Sequence, residues 1–210
     1  MVTVRRGERV ALIGATGSGK SVLARYMLDS ISRVLVIDPK HTWDEDGYRA
    51  ASRLPMFSKE WRIVYRPGMD DDEKMAAILV EAWKRGDLVV YVDEAASISE
   101  SFPLSTRMLS EIARTGRERR VSLWSAMQRP RHTPRVFLTE TEVWFVFRLR
   151  SGEDRAYIGA YVGEEVTEKI GVFEFWYVRP DEDRPRRLTL DLKRGGIVEV
   201  PERATVEVPA

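Results

Sequence analysis

The octet Gly14-Ala15-Thr16-Gly17-Ser18-Gly19-Lys20-Ser21 has the spacing G-x-x-x-x-G-K-[ST]. Its glycines let the backbone curl so that N–H groups converge on phosphate oxygens. Lys20 is spaced to reach the β- and γ-phosphates of a nucleoside triphosphate, and the Ser21 hydroxyl to ligate Mg²⁺. ATP and Mg²⁺ are therefore the expected cofactors.

A second station is acidic. Asp93-Glu94 ends the apolar run Leu88-Val-Val-Tyr-Val92. A carboxylate at the carboxyl edge of a parallel sheet lies beside a phosphate loop. Asp93 is expected to hold Mg²⁺, directly or through its water, and Glu94 to polarise an attacking water. The pairing favours hydrolysis over phosphoryl transfer to another substrate. Asp38 closes the run Val34–Ile37 in the same way. Three readings stay open for it: support of the loop, contact with the base or ribose, or a plain strand-ending aspartate.

Two further features carry polar chemistry. Arg114-Thr-Gly-Arg117-Glu-Arg-Arg120 gathers arginines ahead of the strand that ends at Gln128. They form either a solvated charged face or an arginine finger aimed at a neighbouring subunit's γ-phosphate. Gln128 ends the apolar run; it is the single glutamine in a chain without asparagine. An amide both donates and accepts, so it can hydrogen-bond a γ-phosphate and the attacking water. Arg129, Arg131, His132 and Arg135 follow and form a candidate surface for DNA phosphates. The alternative for these residues is a subunit contact or a solvated loop. Ser97–Arg107 is a second candidate loop, with Arg107 its cation.

These residues need a scaffold. Arg9–Gly14, Val34–Asp38, Trp61–Tyr65, Leu88–Asp93, Val121–Ala126 and Val143–Leu149 are short apolar runs that read as buried strands. Ser21 to about Ser30, Asp70–Arg85 and Leu104 to about Arg114 have helical spacing. Asp70–Arg85 opens with acids, ends in Lys84-Arg85 and stops at Gly86, which suits the helix dipole. Alternating strands and helices indicate an α/β fold with a mostly parallel sheet flanked by helices. Beyond Gly171 the pattern changes to a β-hairpin, Glu174–Val178 and Arg187–Leu192, around a polar turn at Asp181–Pro185. Ile197–Val208 alternates as an edge strand or an arm onto a neighbour. The expected units are a core at residues 1–170 and a hairpin with tail at 171–210, packed on the core or on a neighbouring subunit.

Composition narrows the rest. The 210 residues include no cysteine, which excludes disulfides, thiolate zinc sites and cysteine nucleophiles. The two histidines lie far apart in sequence. Net charge is +1, so any basic surface must be local. No run reaches the ~18 apolar residues of a membrane helix, and the N-terminus lacks a signal-peptide core. The chain reads as not itself transmembrane, and as cytoplasmic. Depletion of Asn, Gln and Cys, with 32% charged residues, fits a thermophilic origin.

Together, "GATGSGKS", "VLVIDPK", "LVVYVDEA" and "GRERRVSLWSAMQRP" resemble the FtsK–HerA superfamily of DNA-pumping ATPases. In that superfamily a strand ends in glutamine, commonly Gln-Arg-Pro, and an arginine finger lies eleven residues earlier, which here is Arg117. The family's usual glycine before the strand is replaced by Arg120. The resemblance implies a RecA-like (ASCE) P-loop ATPase core, a Gln128 sensor and a homo-oligomeric ring, pentamer or hexamer. The short chain is most similar to genome-packaging ATPases of tailless icosahedral viruses with internal membranes. That similarity implies translocation of double-stranded DNA, capsid vertex or viral membrane proteins as partners, and a place in the host cytoplasm or on the virion. The alternatives are a cellular or plasmid DNA pump of the same superfamily, and an ATP-gated assembly switch without translocation.

Overall fold

The computed structural model describes residues 2–56, 58–192 and 196–200. In chain order the elements are β1 (Val10–Ile13), α1 (Lys20–Leu28), β2 (Arg33–Ile37), β3 (Arg49–Ala50), β4 (Trp61–Tyr65), α2 (Asp72–Arg85) and β5 (Leu88–Val92). They continue with α3 (Ala95–Ser101), α4 (Pro103–Thr115), β6 (Val121–Met127), α5 (Val136–Thr139), β7 (Val143–Phe147), α6 (Gly152–Val162), β8 (Glu174–Val178), β9 (Arg186–Asp191) and β10 (Gly196–Glu199). One sheet joins all the strands in the order β10-β9-β8-β7-β1-β6-β5-β2-β4-β3. From β7 to β3 every pairing is parallel, and β8, β9 and β10 are antiparallel.

Strands β1, β5 and β7 are buried on both sides, so they read as continuous apolar runs without alternation; β6 is equally buried but carries Ser122 and Ser125, and β3 at the sheet edge is exposed. Alternate side chains enter two cores. Ile13, Leu35, Val90, Leu123 and Met127 pack under α2–α6, whereas Leu12, Val36, Tyr91, Trp124 and Phe145 pack under α1 and the segment carrying Trp43 and Tyr48. Each fully buried aliphatic side chain contributes about 1.5–3 kcal/mol relative to exposure. The cover is lopsided, with one helix on the second face. Trp43 helps to fill that face by packing against Tyr91 with the ring centroids 4.9 Å apart and the planes tilted by 48°.

The expected mostly parallel α/β sheet and C-terminal hairpin are present. The hairpin strands extend the core sheet, because β8 pairs antiparallel with β7. Of the alternating tail at Ile197–Val208, the first residues form β10, and positions 201–210 lie outside the described residues. Two segments differ from expectation. Ser97–Arg107, read as a loop, is mostly helical: α3 ends at Ser101 and α4 starts at Pro103, whose fixed φ suits a first helical turn. Helix α6 has no amphipathic stripe in the sequence, but Ser151 caps it by accepting from the Glu153 and Asp154 N–H groups.

Among the described residues, no helix is long and apolar enough to cross a membrane.

Candidate nucleotide site

Strand order brings the chemistry together. β6 lies between β1 and β5. The carboxyl ends of these three strands therefore present Gly14, Gln128 and Asp93 side by side. The loop after β1 is tied to both flanking strands: Gly14 N–H donates to Met127 O at 3.0 Å, and Ala15 N–H to Arg148 O at 2.9 Å.

Two glycines are required by close approach. A Cβ on Gly14 would lie 2.6 Å from Phe147 Cβ. Gly19 has φ 114°, and a Cβ there would lie 2.9 Å from Phe173 Cδ1. Gly19 is the N-cap of α1 and supplies no side-chain cap, so the first-turn N–H groups face the loop. Ser18 Oγ is buried without a hydrogen-bond partner. A curled loop, a helix N-terminus without a side-chain cap and an orphan hydroxyl suit an anionic phosphate. Phe173 N–H donates to Ser18 O at 3.1 Å, so the start of the hairpin supports the loop.

Lys20 is buried, and its Nζ donates to Gly14 O at 2.7 Å and Ala15 O at 3.0 Å. Burial lowers its pKa to about 8, against the opposing pull of Glu94 and Asp93. A phosphate beside it would raise that value again. Burial also raises the Asp93 pKa. The Tyr91 hydroxyl donates to Asp93 Oδ1 at 3.1 Å. Ser21 and Asp93 line the same cleft. Hydroxyl and carboxylate oxygens are suitable donors for a hard divalent cation whose other ligands are phosphate oxygens and water. The described residues contain no cluster of three His, Asp or Glu that would cage a metal without a substrate, and Mg²⁺ characteristically binds with few protein ligands.

Glu94 is buried in left-handed backbone, φ 67° and ψ 73°. For a non-glycine residue this costs roughly 1–3 kcal/mol and needs support from its surroundings. Its Oε1 accepts from the Gln128 N–H at 3.3 Å, and its Oε2 from Lys40 Nζ at 3.1 Å. Gln128 Oε1 in turn accepts from the Thr16 hydroxyl at 2.8 Å. The lone amide therefore bridges the phosphate loop and the acid pair. These groups surround a cleft of about 480 Å³, within the range of small-ligand sites.

The open question about Asp38 closes on the structural side. Its carboxylate is fully buried and accepts from Thr42 N–H and Trp43 N–H, each at 3.0 Å, and from Arg66 Nε at 3.2 Å. No surface remains for a ribose or base. Asp38 instead shapes the turn that delivers Lys40 to Glu94 and Thr42 Oγ1 to Asp93 Oδ2, 3.4 Å away. Lys40, Thr42 and Tyr91 escaped the sequence reading because their approach depends on turn geometry. One signal was present: Lys40 is among seven lysines in a chain whose cations are mostly arginine.

Arg117 does not join this cluster within one chain. It lies in the 3₁₀ turn Gly116–Arg119, before β6, and so at the opposite edge of the sheet from Gln128. The strand between them spans roughly 23 Å at ~3.3 Å per residue. Arg117 is exposed and pairs with Glu142 at 2.9 Å. Arg129, Arg131, His132 and Arg135 are exposed at the carboxyl edge, and Arg131 pairs with Glu153 of α6.

In sequence, residues 7–101 match the family described as "Helicase HerA, central domain". The matched span holds the phosphate loop and the acid pair and ends before Arg117 and Gln128. No curated protein matches the chain. Among solved structures, the genome packaging NTPase B204 from Sulfolobus turreted icosahedral virus 2, in complex with AMPPCP, is 19% identical with a TM-score of 0.67, over 87% of this chain and 97% of that one. B204 from Sulfolobus turreted icosahedral virus, described as a DNA-packaging ATPase, is 20% identical with a TM-score of 0.68, over 88% of this chain and 98% of that one. The cytoplasmic domain of the Thermomonospora curvata type VII secretion ATPase EccC is 14% identical with a TM-score of 0.64, over 87% of this chain and 23% of that one.

The structural matches show a P-loop ATPase fold. The sequence match bears out the resemblance to the FtsK–HerA superfamily. Together they support an ATP hydrolase of the HerA/FtsK type.

Proposed function

We propose that this chain is an ATP-driven translocase of double-stranded DNA that works as a homo-oligomeric ring and packages a viral genome. The observation that carries the proposal is the course of β6. It ends in Gln128, which touches both the phosphate loop and Glu94, and runs directly into the exposed basic segment Arg129–Arg135. A change at the γ-phosphate has a short covalent path to a surface suited to DNA phosphates.

The chemistry follows from the site. The loop N–H groups of residues 14–21 and the Lys20 ammonium hold the phosphates. Ser21 and Asp93 would hold Mg²⁺, which neutralises charge on the β- and γ-oxygens when bound. Glu94 accepts the proton of a water as its oxygen attacks the γ-phosphorus, and ADP leaves on the opposite side. Gln128 orients that water and registers the γ-phosphate. Arg117, too far from its own site, completes the site of the next subunit. B204, the viral relative in structure, is described as a genome packaging NTPase, which favours a packaging role over a cellular pump.

The test is ATP hydrolysis with and without double-stranded DNA, beside particle counting by electron microscopy. Stimulation by DNA together with closed rings is the expected result. Hydrolysis indifferent to DNA from a monomer would sink the proposal and favour a nucleotide-gated assembly switch.

A further inference from the structure

Lys40 stands outside the phosphate loop and the acid pair, yet it touches the group that reading makes the general base. Its Nζ lies 3.1 Å from Glu94 Oε2. The two partners differ in environment. The Glu94 side chain is 7% exposed, whereas that of Lys40 is 41% exposed at the rim of the cleft. With Gln128 N–H on the other oxygen, both Glu94 oxygens are engaged and the carboxylate is held. Lys40 also lines the same cleft as Thr16, Gly17, Gly19 and Lys20 of the phosphate loop. Its neighbours therefore include one carboxylate and one expected phosphate position.

From this arrangement we infer that Lys40 is a positioning residue that restrains Glu94 until a γ-phosphate arrives, then transfers its ion pair to that phosphate and frees Glu94 for water. The inference rests on the cleft being an ATP-hydrolysis site. Three physical points carry it. An ammonium is a point charge with three rotatable donors, so it changes partner without a fixed docking geometry. A γ-phosphate carries more negative charge than one carboxylate and competes well for an ammonium inside a partly desolvated cleft. The restrained Glu94 also sits in costly backbone of the kind that clusters at active sites and switch regions. The turn carrying Lys40 is itself anchored by the buried Asp38, so the lysine end can move while its base stays fixed.

The arrangement makes the lysine a discriminator between triphosphate and diphosphate. The experiment measures the affinities of a non-hydrolysable ATP analogue and of ADP for four full-length proteins: unmodified, Lys40→Met, Glu94→Gln and the double variant. Thermal unfolding checks that each folds. Glu94→Gln removes the competing carboxylate, so it should tighten the ATP analogue by about fivefold or more through Lys40. Lys40→Met should lower the preference for triphosphate over ADP by a similar factor while leaving ADP affinity unchanged. The double variant should lose the gain of Glu94→Gln. A purely structural lysine would move both nucleotides together.

The hand-over is overturned if Lys40→Met leaves the triphosphate preference unchanged, or if the gain from Glu94→Gln survives without Lys40. Should the unmodified chain bind neither nucleotide, the ATP-site reading fails and the hand-over with it. Normal binding and hydrolysis with an unchanged preference would remove the hand-over alone.

Discussion

The Thr16 hydroxyl donates to Gln128 Oε1 at 2.8 Å, joining the phosphate loop to the end of the neighbouring strand. The Gln128 N–H meanwhile points at Glu94. One residue thus contacts both halves of the site, with its side chain on one and its backbone on the other. Gln128→Ala keeps the backbone link and removes the amide. Hydrolysis should fall by about a hundredfold, the scale for losing one positioned polar group, with nucleotide affinity little changed. Gln128→Glu should weaken triphosphate binding as well, because it adds negative charge near the γ-phosphate. Steady-state phosphate release and nucleotide titration separate the two effects.

Arg117 and Gln128 lie at opposite edges of the sheet, so any catalytic role for Arg117 requires two subunits. Arg117→Ala should bind nucleotide normally and lose about a thousandfold in hydrolysis. Mixed with Glu94→Gln subunits it should regain activity, since a mixed interface pairs an intact Glu94 with an intact Arg117. Normal activity of Arg117→Ala alone, with no change on mixing, removes the finger assignment.

Asp38 should matter for stability first. Removing one partner of a buried ion pair typically costs about 3–5 kcal/mol. Asp38→Ala leaves the Thr42 and Trp43 N–H groups without their acceptor and takes from Arg66 its buried partner, with Glu45 and the Trp43 carbonyl remaining to it. Denaturant unfolding should show a loss of that order, with activity falling because the turn bearing Lys40 and Thr42 loosens. Unchanged stability with weakened nucleotide binding would instead mean direct ligand contact.

The hairpin is clamped to the N-terminal segment through Arg179, whose buried guanidinium pairs with Glu8 at 2.8 Å and with Asp181 at 2.7 Å. Hydrogen bonds from Arg179, then Arg5, lower the Asp181 pKa from 3.8 to about 2. The folded value lies below the unfolded one. Ionised Asp181 therefore favours the folded state above about pH 4, and that contribution fades as pH falls towards 2. Asp181→Asn should melt earlier than the unmodified protein at pH 5, and the gap should narrow by pH 3. A gap that stays constant or widens would contradict the linkage.

Much of this was legible in the amino-acid order. The octet at 14–21 and the Asp93-Glu94 pair could be read because their function depends on local backbone shape and on the last residues of apolar strands. The parallel sheet was legible for a similar reason: strands buried on both faces have to be largely apolar, and β1, β5 and β7 are so throughout, while β2 adds only Arg33 at its start and β6 only Ser122 and Ser125. The lone amide stood out as an anomaly, yet its partners did not.

What only tertiary structure decided depends on non-local pairing. Placing β6 between β1 and β5 set Gln128 beside both Thr16 and Glu94, residues 112 and 34 positions away. The turn after β2 swung Lys40 onto a carboxylate 54 positions on, and burial converted Asp38 from a ligand candidate into the turn's anchor. Local sequence specifies which side chain ends a strand. Strand order, which follows from how the two cores close over the whole sheet, specifies which other side chains it meets.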